Sequence, residues 1–278
     1  MGVIINLNPK IKKFINIKNF RLRFISTLFL LFVFFIVYFI GNPILPIFLI
    51  VIFIAVLYEF NLICHSQLKL FHWIKIFIFP ILLFIFLISE IYNFSILIDN
   101  LSNYFTSLLI ALIINCVFFN NYNSILDFIM SNLLIISFFS LIKLLLIPDG
   151  LNVFLYLVLL VSVMDIFAYI GGNIFGIKKI APNISQGKTI EGTLIGMFCA
   201  TLVSVLIREL IDLNIFQALI LGLVIGVFAF LGDLLESFFK RKIGIKDSSK
   251  LIPGHGGLLD RFDGYILILP LFNLTLVI

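Results

Sequence analysis

Residues 237–263 form a long polar segment in a chain that otherwise consists mostly of hydrocarbon side chains. The chain has 33 Lys, Arg, Asp and Glu residues, and nine of them lie in this segment of 27 residues. Ionisable side chains are costly close to lipid, so a group of them in an apolar chain generally marks a site for an ion or a charged substrate. We therefore expect the chemistry of this protein to take place in this polar segment.

The residues that lead into the polar segment place four polar groups on one face of a helix. In the sequence FLGDLLESFFKRK, Asp233, Glu236, Ser237 and Lys240 have the spacing i, i+3, i+4 and i+7. A helix with this spacing presents all four side chains on one side. Glu236 could bind a cation or pair with Lys240, and we favour the pair.

A glycine-rich turn and two aspartates follow. Three glycines in Pro253–Gly257 allow the backbone to approach a ligand closely and to donate N–H groups to phosphate oxygens. Asp260 and Asp263 come next and, together with Asp233, predict a site for a hard cation. Carboxylate oxygens suit Mg²⁺, which usually keeps waters and bridges to substrate phosphate. His255 could contact that phosphate or form an ordinary hydrogen bond in the loop.

The rest of the chain predicts a bundle of membrane-spanning helices. The composition is 62% hydrophobic and only 12% charged, with a mean hydropathy of +1.24, whereas soluble domains are about 25% charged. A span needs about 20 apolar residues. We therefore predict an all-α, polytopic transmembrane helix bundle with about nine spans. The predicted spans are 24–40, 44–60, 74–91, 103–119, 125–147, 151–171, 192–211, 215–232 and 264–278.

The basic residues predict the orientation of these spans, because cytoplasmic loops are enriched in Lys and Arg. Nine alternating spans with a cytoplasmic N-terminus place 17 of the 19 basic residues on the cytoplasmic side. The loop 171–192 and the polar segment both lie on that side, where nucleotides are available. We expect one integral membrane domain over 1–278. It comprises a basic cytoplasmic N-terminus (1–23), N-terminal spans (24–171) and a C-terminal catalytic portion (172–278).

The polar segment closely resembles the signature of the phosphatidate cytidylyltransferases, the CDP-diacylglycerol synthases. That signature reads S-x-x-K-R-x4-K-D-x-(small)-x2-(apolar)-P-x-H-G-G-x-x-D-R-x-D. The chain matches every fixed position, which makes the resemblance highly specific. The matching residues are Ser237, Lys240, Arg241, Lys246, Asp247, Ser249, Ile252, Pro253, His255, Gly256, Gly257, Asp260, Arg261 and Asp263.

Weaker similarity to the family surrounds residues 165–169 and 188–192, so the resemblance covers about 40% of the chain, at its C-terminal end. The N-terminal half is similar only in having several apolar spans. One departure is visible in residues 185–189. Family members commonly have a proline and a second lysine where this chain has Gln186 and Gly187.

The resemblance implies a Mg²⁺-dependent reaction of CTP with phosphatidic acid that gives CDP-diacylglycerol and pyrophosphate. Its partners are then these two substrates and the lipid bilayer, with no nucleic acid, and its location is the cell inner (plasma) membrane. Asp233, Asp260 and Asp263 are expected to be the metal ligands and, with Arg261, the catalytic residues. The residues expected to bind substrate are Lys188, Thr189, Ser237, Lys240, Arg241, Lys246, Asp247, His255, Gly256 and Gly257.

Two other functional classes are alternatives to this one. A CDP-alcohol phosphatidyltransferase needs a D-G-x2-A-R…G-x3-D-x3-D pattern, which the sequence lacks. A membrane transporter or channel for an anionic solute would use ionisable residues within the membrane, and Asp165 is the main candidate. Gly222 and Gly226 form a GxxxG pattern, which indicates helix packing and suggests a possible homodimer.

Overall fold

The computed structural model describes residues 36, 39–40, 44–65, 67–91, 100–119, 122–249 and 256–275, without the side chains of 89–91, 100–106 and 273–275. Most of these residues are helical. Short 3₁₀ turns occupy Arg208–Ile211 and Asp263–Tyr265. The other elements, in chain order, are α1 (Ile44–Cys64), α2 (Leu70–Ile91), α3 (Asn100–Val117), α4 (Ile125–Leu146), α5 (Gly150–Phe175), β1 (Lys179–Ala181), β2 (Ser185–Thr189), α6 (Ile190–Leu206), α7 (Ile215–Ile243), α8 (Leu259–Phe262) and α9 (Ile268–Thr275).

Among the described residues, five helices are long and apolar enough to cross a membrane, which confirms the prediction of a helical membrane protein. They are Ile44–Cys64, Leu70–Ile88, Ile125–Leu146, Gly150–Phe175 and Ile215–Ile243. Two shorter apolar helices, Ser107–Val117 and Ile190–Leu206, match the predicted fourth and seventh spans. The number nine is not confirmed, and most of the predicted first span (24–40) lies outside the described residues.

The predicted ninth span (264–278) contains only one short α-helix, α9, in its described part. Helix α9 has eight residues, so its length is about 12 Å. The hydrocarbon core of a bilayer is about 30 Å thick. The described part of this segment therefore does not reach across a membrane, and residues 276–278 lie outside the description.

A small β-hairpin, which the all-α prediction did not include, lies between α5 and α6. Strand β1 pairs antiparallel with β2, with Lys179 opposite Thr189 and Ala181 opposite Ser185. The sequence of β2, SQGKT, has no alternation of apolar and polar residues, and most of its side chains are not buried. The usual sequence signal of a strand is therefore absent.

The ends of α7 are set by local capping. Asn214 and Gln217 form a capping box at its start, in which each side chain accepts a hydrogen bond from the backbone of the other residue. At its end, Gly244 has φ 84°, a left-handed conformation that commonly ends a helix and favours glycine. The helix therefore continues to Ile243, well beyond the predicted span 215–232.

Helices α5, α6 and α7 pack successively against one another. A Cβ at Gly222 of α7 would come within 2.6 Å of the Ser204 Cβ and 2.9 Å of the Thr201 Cα, both in α6. The GxxxG pattern therefore serves packing within the chain at Gly222. This contact gives no support to the homodimer that the pattern suggested.

Helix α1, from the N-terminal half, packs directly on the C-terminal portion. Phe138 of α4 is stacked between Phe53 of α1 and Phe262 of α8, with ring centroids 4.3 and 4.2 Å away. Phe60 of α1 stacks on Phe239 of α7 at 5.5 Å. These four helices therefore share one core, which fixes the position of α1 beside the polar segment.

Candidate active site

The polar face of α7 forms as the sequence predicts. The Ser237 hydroxyl donates to Asp233 Oδ1 at 3.4 Å. The Lys240 ammonium lies 2.6 Å from Glu236 Oε2, so the favoured pairing of these two residues is confirmed. Glu236 is fully buried and Lys240 nearly so, which places this ion pair inside the protein.

Lys240 also connects α7 to α8. Its ammonium lies 2.8 Å from Asp260 Oδ1. The Asp260 carboxylate accepts further hydrogen bonds from the backbone N–H groups of Ser248, at 3.1 Å, and Gly257, at 2.8 Å. Burial acts to raise the pKa of Asp260, but the bond from Lys240, supported by the two backbone bonds, outweighs it and leaves the pKa below its ordinary value.

A second carboxylate, which the sequence analysis missed, holds the same part of the chain. Glu59 of α1 accepts a hydrogen bond from the Ser248 hydroxyl at 2.8 Å and another from the Leu259 backbone N–H at 3.0 Å. Its side chain is 1% exposed. Glu59 is the single charged residue in the 21 residues of α1, and this isolation in an apolar helix is a signal that could have identified it.

The β-hairpin contacts α7 through two basic residues. Lys188 of β2 forms an ion pair with Asp233, its Nζ lying 2.8 Å from Oδ2. Arg241 donates from Nε to the Ile184 carbonyl at 3.0 Å and from Nη1 to the Ile245 carbonyl at 2.8 Å. Lys188 thus adjoins a predicted metal ligand, and Arg241 joins the hairpin to the turn that follows α7.

The remaining predicted substrate-binding residues lie around this junction. Thr189 is the N-cap of α6, and its hydroxyl accepts from the Gly192 N–H at 3.2 Å. Lys246 and Asp247 are exposed on the turn after α7. Gly256 has φ 87°, a conformation suited to glycine. His255 lies outside the described residues.

Asp263 lies in a group of carboxylates. A Cβ at Gly232 would come 2.5 Å from the Asp263 carbonyl oxygen, so glycine at 232 lets this turn lie against α7 beside Asp233. Burial raises the pKa of Asp263 well above its ordinary range, and the negative charges of Asp233, Glu236 and Asp165 add to the effect. The Gly264 N–H, 2.7 Å from Asp263 Oδ1, opposes it.

Asp165 joins these carboxylates from α5. Its carboxylate interacts electrostatically with Asp233 and with the basic groups of Lys188 and Arg261. The site therefore combines several carboxylates with basic side chains. Among the described residues, however, no three His, Cys, Asp or Glu side chains converge as ligands of one metal ion. Metal binding by Asp233, Asp260 and Asp263 stays a prediction.

The sequence profile of the cytidylyltransferase family matches residues 21–278. The chain belongs to this family. The family resemblance inferred from the polar segment is thereby confirmed. The match to the family covers nearly the whole chain.

Individual members of the cytidylyltransferase family match part of the chain. A phosphatidate cytidylyltransferase of Staphylococcus haemolyticus is 45% identical over 131 residues, which are 46% of this chain and 50% of that protein. Proteins of the same name from Staphylococcus aureus and Staphylococcus epidermidis are 44% and 45% identical over matches of the same length and coverage. The chain therefore spans about half the length of the curated relatives it matches.

Proposed function

We propose that this protein is a phosphatidate cytidylyltransferase, which converts CTP and phosphatidic acid into CDP-diacylglycerol and pyrophosphate. The main support is that the polar segment bears every fixed position of the family signature, and that its described residue Asp260 bonds to Lys240 of α7, next to Glu236. The relatives matched over about half of their length bear the same name. Both substrates are anionic, and the site has the basic side chains needed to bring anions together.

In the proposed reaction, a phosphate oxygen of phosphatidic acid attacks the α-phosphorus of CTP. A new P–O bond forms, and the bond from the α-phosphorus to the oxygen bridging the α- and β-phosphates breaks. Pyrophosphate leaves with the electron pair of that bond. A phosphate monoester is largely ionised at pH 7, since its second pKa is about 6, so the reaction needs no strong general base.

The basic residues would neutralise the repulsion between the two substrates and the charge that develops on pyrophosphate. Lys188 and Arg261 interact electrostatically with Asp165. Lys240 bonds to Asp260, which also accepts the N–H of Gly257. We assign phosphate contacts to these three basic residues. The further substrate contacts carried over from the sequence are Thr189, Ser237, Arg241, Lys246, Asp247, His255, Gly256 and Gly257.

Mg²⁺ fits the chemistry of the carboxylates. Asp263 is held close to other negative charges, which a divalent cation would compensate. Mg²⁺ is often held by only one or two carboxylates together with waters and substrate phosphates. Of the three predicted ligands, Asp260 has the most hydrogen-bond partners, namely Lys240 and two backbone N–H groups. Asp233 has Lys188 and Ser237 as partners, and Asp263 accepts from the Gly264 N–H. Bound at these carboxylates, the cation would neutralise phosphate charge and polarise phosphoryl oxygens.

The proposed location is the inner (plasma) membrane, with the N-terminus and the active site on the cytoplasmic side. CTP would then approach from the cytoplasm, while the acyl chains of phosphatidic acid stay in the bilayer. The predicted portions 1–23, 24–171 and 172–278 would form one integral membrane domain. The distribution of basic residues supports this orientation.

The test is to incubate detergent-purified protein with phosphatidic acid, CTP and Mg²⁺ and to identify the lipid product by mass spectrometry. We expect CDP-diacylglycerol that disappears with EDTA and returns when Mg²⁺ is added in excess. A parallel measurement of anion flux in liposomes without CTP addresses the alternative of a transporter. Flux without formation of CDP-diacylglycerol, by protein shown to be folded, would overturn the proposal.

A further inference from the structure

Glu59 lies in the N-terminal half of the chain, yet it contacts the polar segment directly. It is separated by 189 positions from Ser248 and by 200 from Leu259, and it bonds to both. The neighbouring Phe60 stacks on Phe239 of α7, so the backbone of α1 is itself packed against the C-terminal portion. The contact therefore belongs to the packed core of the protein.

The two hydrogen bonds of Glu59 hold opposite ends of one loop. Oε1 accepts from the Ser248 hydroxyl, just after α7, and Oε2 accepts from the Leu259 N–H at the start of α8. Along the sequence, residues 249–258, which include the whole glycine-rich turn, separate these two residues. One side chain of α1 therefore sets the distance between the two ends of the loop.

Gly257, in the same loop, packs against Glu59 and Ser248. A Cβ at position 257 would overlap Glu59 Oε1 and the Ser248 hydroxyl. The backbone at Gly257 thus lies directly on the Glu59 carboxylate, and Gly257 also donates its N–H to Asp260. Glu59 and Asp260 hold Ser248 together, one through its hydroxyl and the other through its N–H.

The bonds of Glu59 to described residues come from a hydroxyl and a backbone N–H group. Over the part of the chain that the structure describes, no Lys, Arg or His group lies within ion-pair distance of its carboxylate. A buried charge is costly unless hydrogen bonds compensate for it. Among the described residues, the hydrogen bonds that compensate for burial of the Glu59 carboxylate come from Ser248 and Leu259.

We propose that Glu59 is a positioning residue, which fixes Ser248, Gly257 and Leu259 and thereby holds Gly257 and Asp260 in place for the binding of CTP. This inference rests on the proposed function. Glu59 touches the loop and acts through it, without contacting the reacting atoms. Preorganised donors are effective because they need no rearrangement during the reaction, and a displacement of about 1 Å can cost a factor of about 100 in rate.

The first test compares Glu59→Ala with Glu59→Gln in the purified, full-length protein. Glutamine can preserve both contacts, because its carbonyl accepts from the Leu259 N–H and its amide donates to the Ser248 oxygen. We expect Glu59→Ala to raise the KM for CTP about tenfold and to lower kcat about 100-fold, with the KM for phosphatidic acid unchanged. Glu59→Gln should recover most of both losses.

Asn61→Leu is the matched control. Asn61 is also a buried polar residue of α1, but its side chain donates to the Leu57 carbonyl within the same helix. We expect it to keep the wild-type KM for CTP. Ser248→Ala removes one of the two bonds and should fall between wild type and Glu59→Ala. It keeps the inference testable if Glu59→Ala does not fold.

Hydrogen exchange of the Leu259 amide tests the contact independently of catalysis. We expect faster exchange in Glu59→Ala than in wild type and Asn61→Leu. Wild-type KM and kcat in Glu59→Ala, unchanged exchange at Leu259, or a Glu59→Gln protein as impaired as Glu59→Ala would each overturn the inference. If wild-type protein forms no CDP-diacylglycerol, the proposed function fails, while the exchange experiment still decides whether Glu59 holds the loop.

Discussion

At the scale of single residues, the site is arranged around negative charges that are only partly compensated. Asp233 has Lys188 as its partner, and Glu236 has Lys240. Asp263 receives a backbone hydrogen bond but lies close to three other carboxylates, which raise its pKa after the larger effect of burial. A carboxylate in these surroundings lowers the stability of the folded protein, so we expect Asp263 to serve the reaction.

Replacing Asp263 by asparagine should separate function from stability. The substitution removes one of the mutually repelling charges while preserving shape, so we expect an unchanged or higher Tm. Turnover should fall by at least about 100-fold, as is typical when an electrostatic group of the transition state is lost. The measurements are kcat at saturating substrates and thermal unfolding.

Asp212→Asn is the control for Asp263→Asn. Asp212 is exposed in the connection before α7 and has φ 52°, a conformation that asparagine also tolerates. It should leave both kcat and Tm near their wild-type values. Turnover near that of wild type in Asp263→Asn would remove Asp263 from the reaction.

Lys188→Met tests the basic group supplied by the hairpin. Methionine retains much of the apolar stem but loses the ammonium, so Asp233 loses its partner and a phosphate loses a contact. A charge-assisted hydrogen bond contributes about 1.5–3 kcal/mol, and we expect kcat/KM for CTP to fall at least about tenfold. Lys179→Met, on the exposed side of β1, should have little effect, and equal effects of the two variants would contradict the assignment.

At the scale of elements, the described ends of the loop 248–259 are held by side chains from several helices. Glu59 comes from α1, Asp260 from α8, and Lys240 from α7. The helical spacing of α7 made the Glu236–Lys240 pair predictable, because its contact is local. The contact of Glu59 was not predictable in this way, since no local pattern indicates which distant residues will meet.

Gly257→Ala should disrupt this arrangement. The added methyl group would overlap Glu59 Oε1 and the Ser248 hydroxyl, so the loop must move away from α1. We expect a loss of activity of about 100-fold, as for other displacements of about 1 Å, and a lower Tm. Steady-state kinetics and thermal unfolding provide the measurements.

Gly226→Ala serves as the comparison for Gly257→Ala. An added Cβ there would make ordinary contacts with Met197, the nearest at 3.4 Å, and alanine is favoured over glycine inside a helix. This variant should keep its activity and gain stability. If Gly257→Ala behaved in the same way, the close approach of the turn to Glu59 would be refuted.

At the scale of the whole molecule, α7 is long and apolar enough to connect the two sides of a membrane. Its 29 residues extend about 43 Å, more than the thickness of the hydrocarbon core. The active site lies at its C-terminal end and Asp212 just before its N-terminal end. Positions 212 and 246 should therefore face opposite compartments.

Cysteine labelling tests this orientation. In a protein whose Cys64, Cys116 and Cys199 have been replaced, Lys246→Cys and Asp212→Cys are each treated with a membrane-impermeant thiol reagent. We expect Cys at 246 to react in inside-out vesicles and Cys at 212 in right-side-out vesicles. The reverse pattern would place the active site outside the cytoplasm.

The sequence predicts the helical bundle and the composition of the site because both depend on local patterns. Apolar runs define the long helices, and the polar segment identifies the residues around Asp263. The hairpin escapes prediction because Ser185–Thr189 lacks an alternating pattern. The hydrogen bonds from Arg241 to backbone carbonyls are not predicted either, because they depend on tertiary packing.

The most direct test of the central claim follows the phosphates of CTP. Purified protein is given phosphatidic acid, Mg²⁺ and CTP labelled with ³²P at either the α- or the γ-position. We predict that the α-label enters the lipid, that the γ-label appears in pyrophosphate, and that the two products form in equal amounts. A γ-label in the lipid, or no transfer by protein shown to be folded, would contradict cytidylyl transfer.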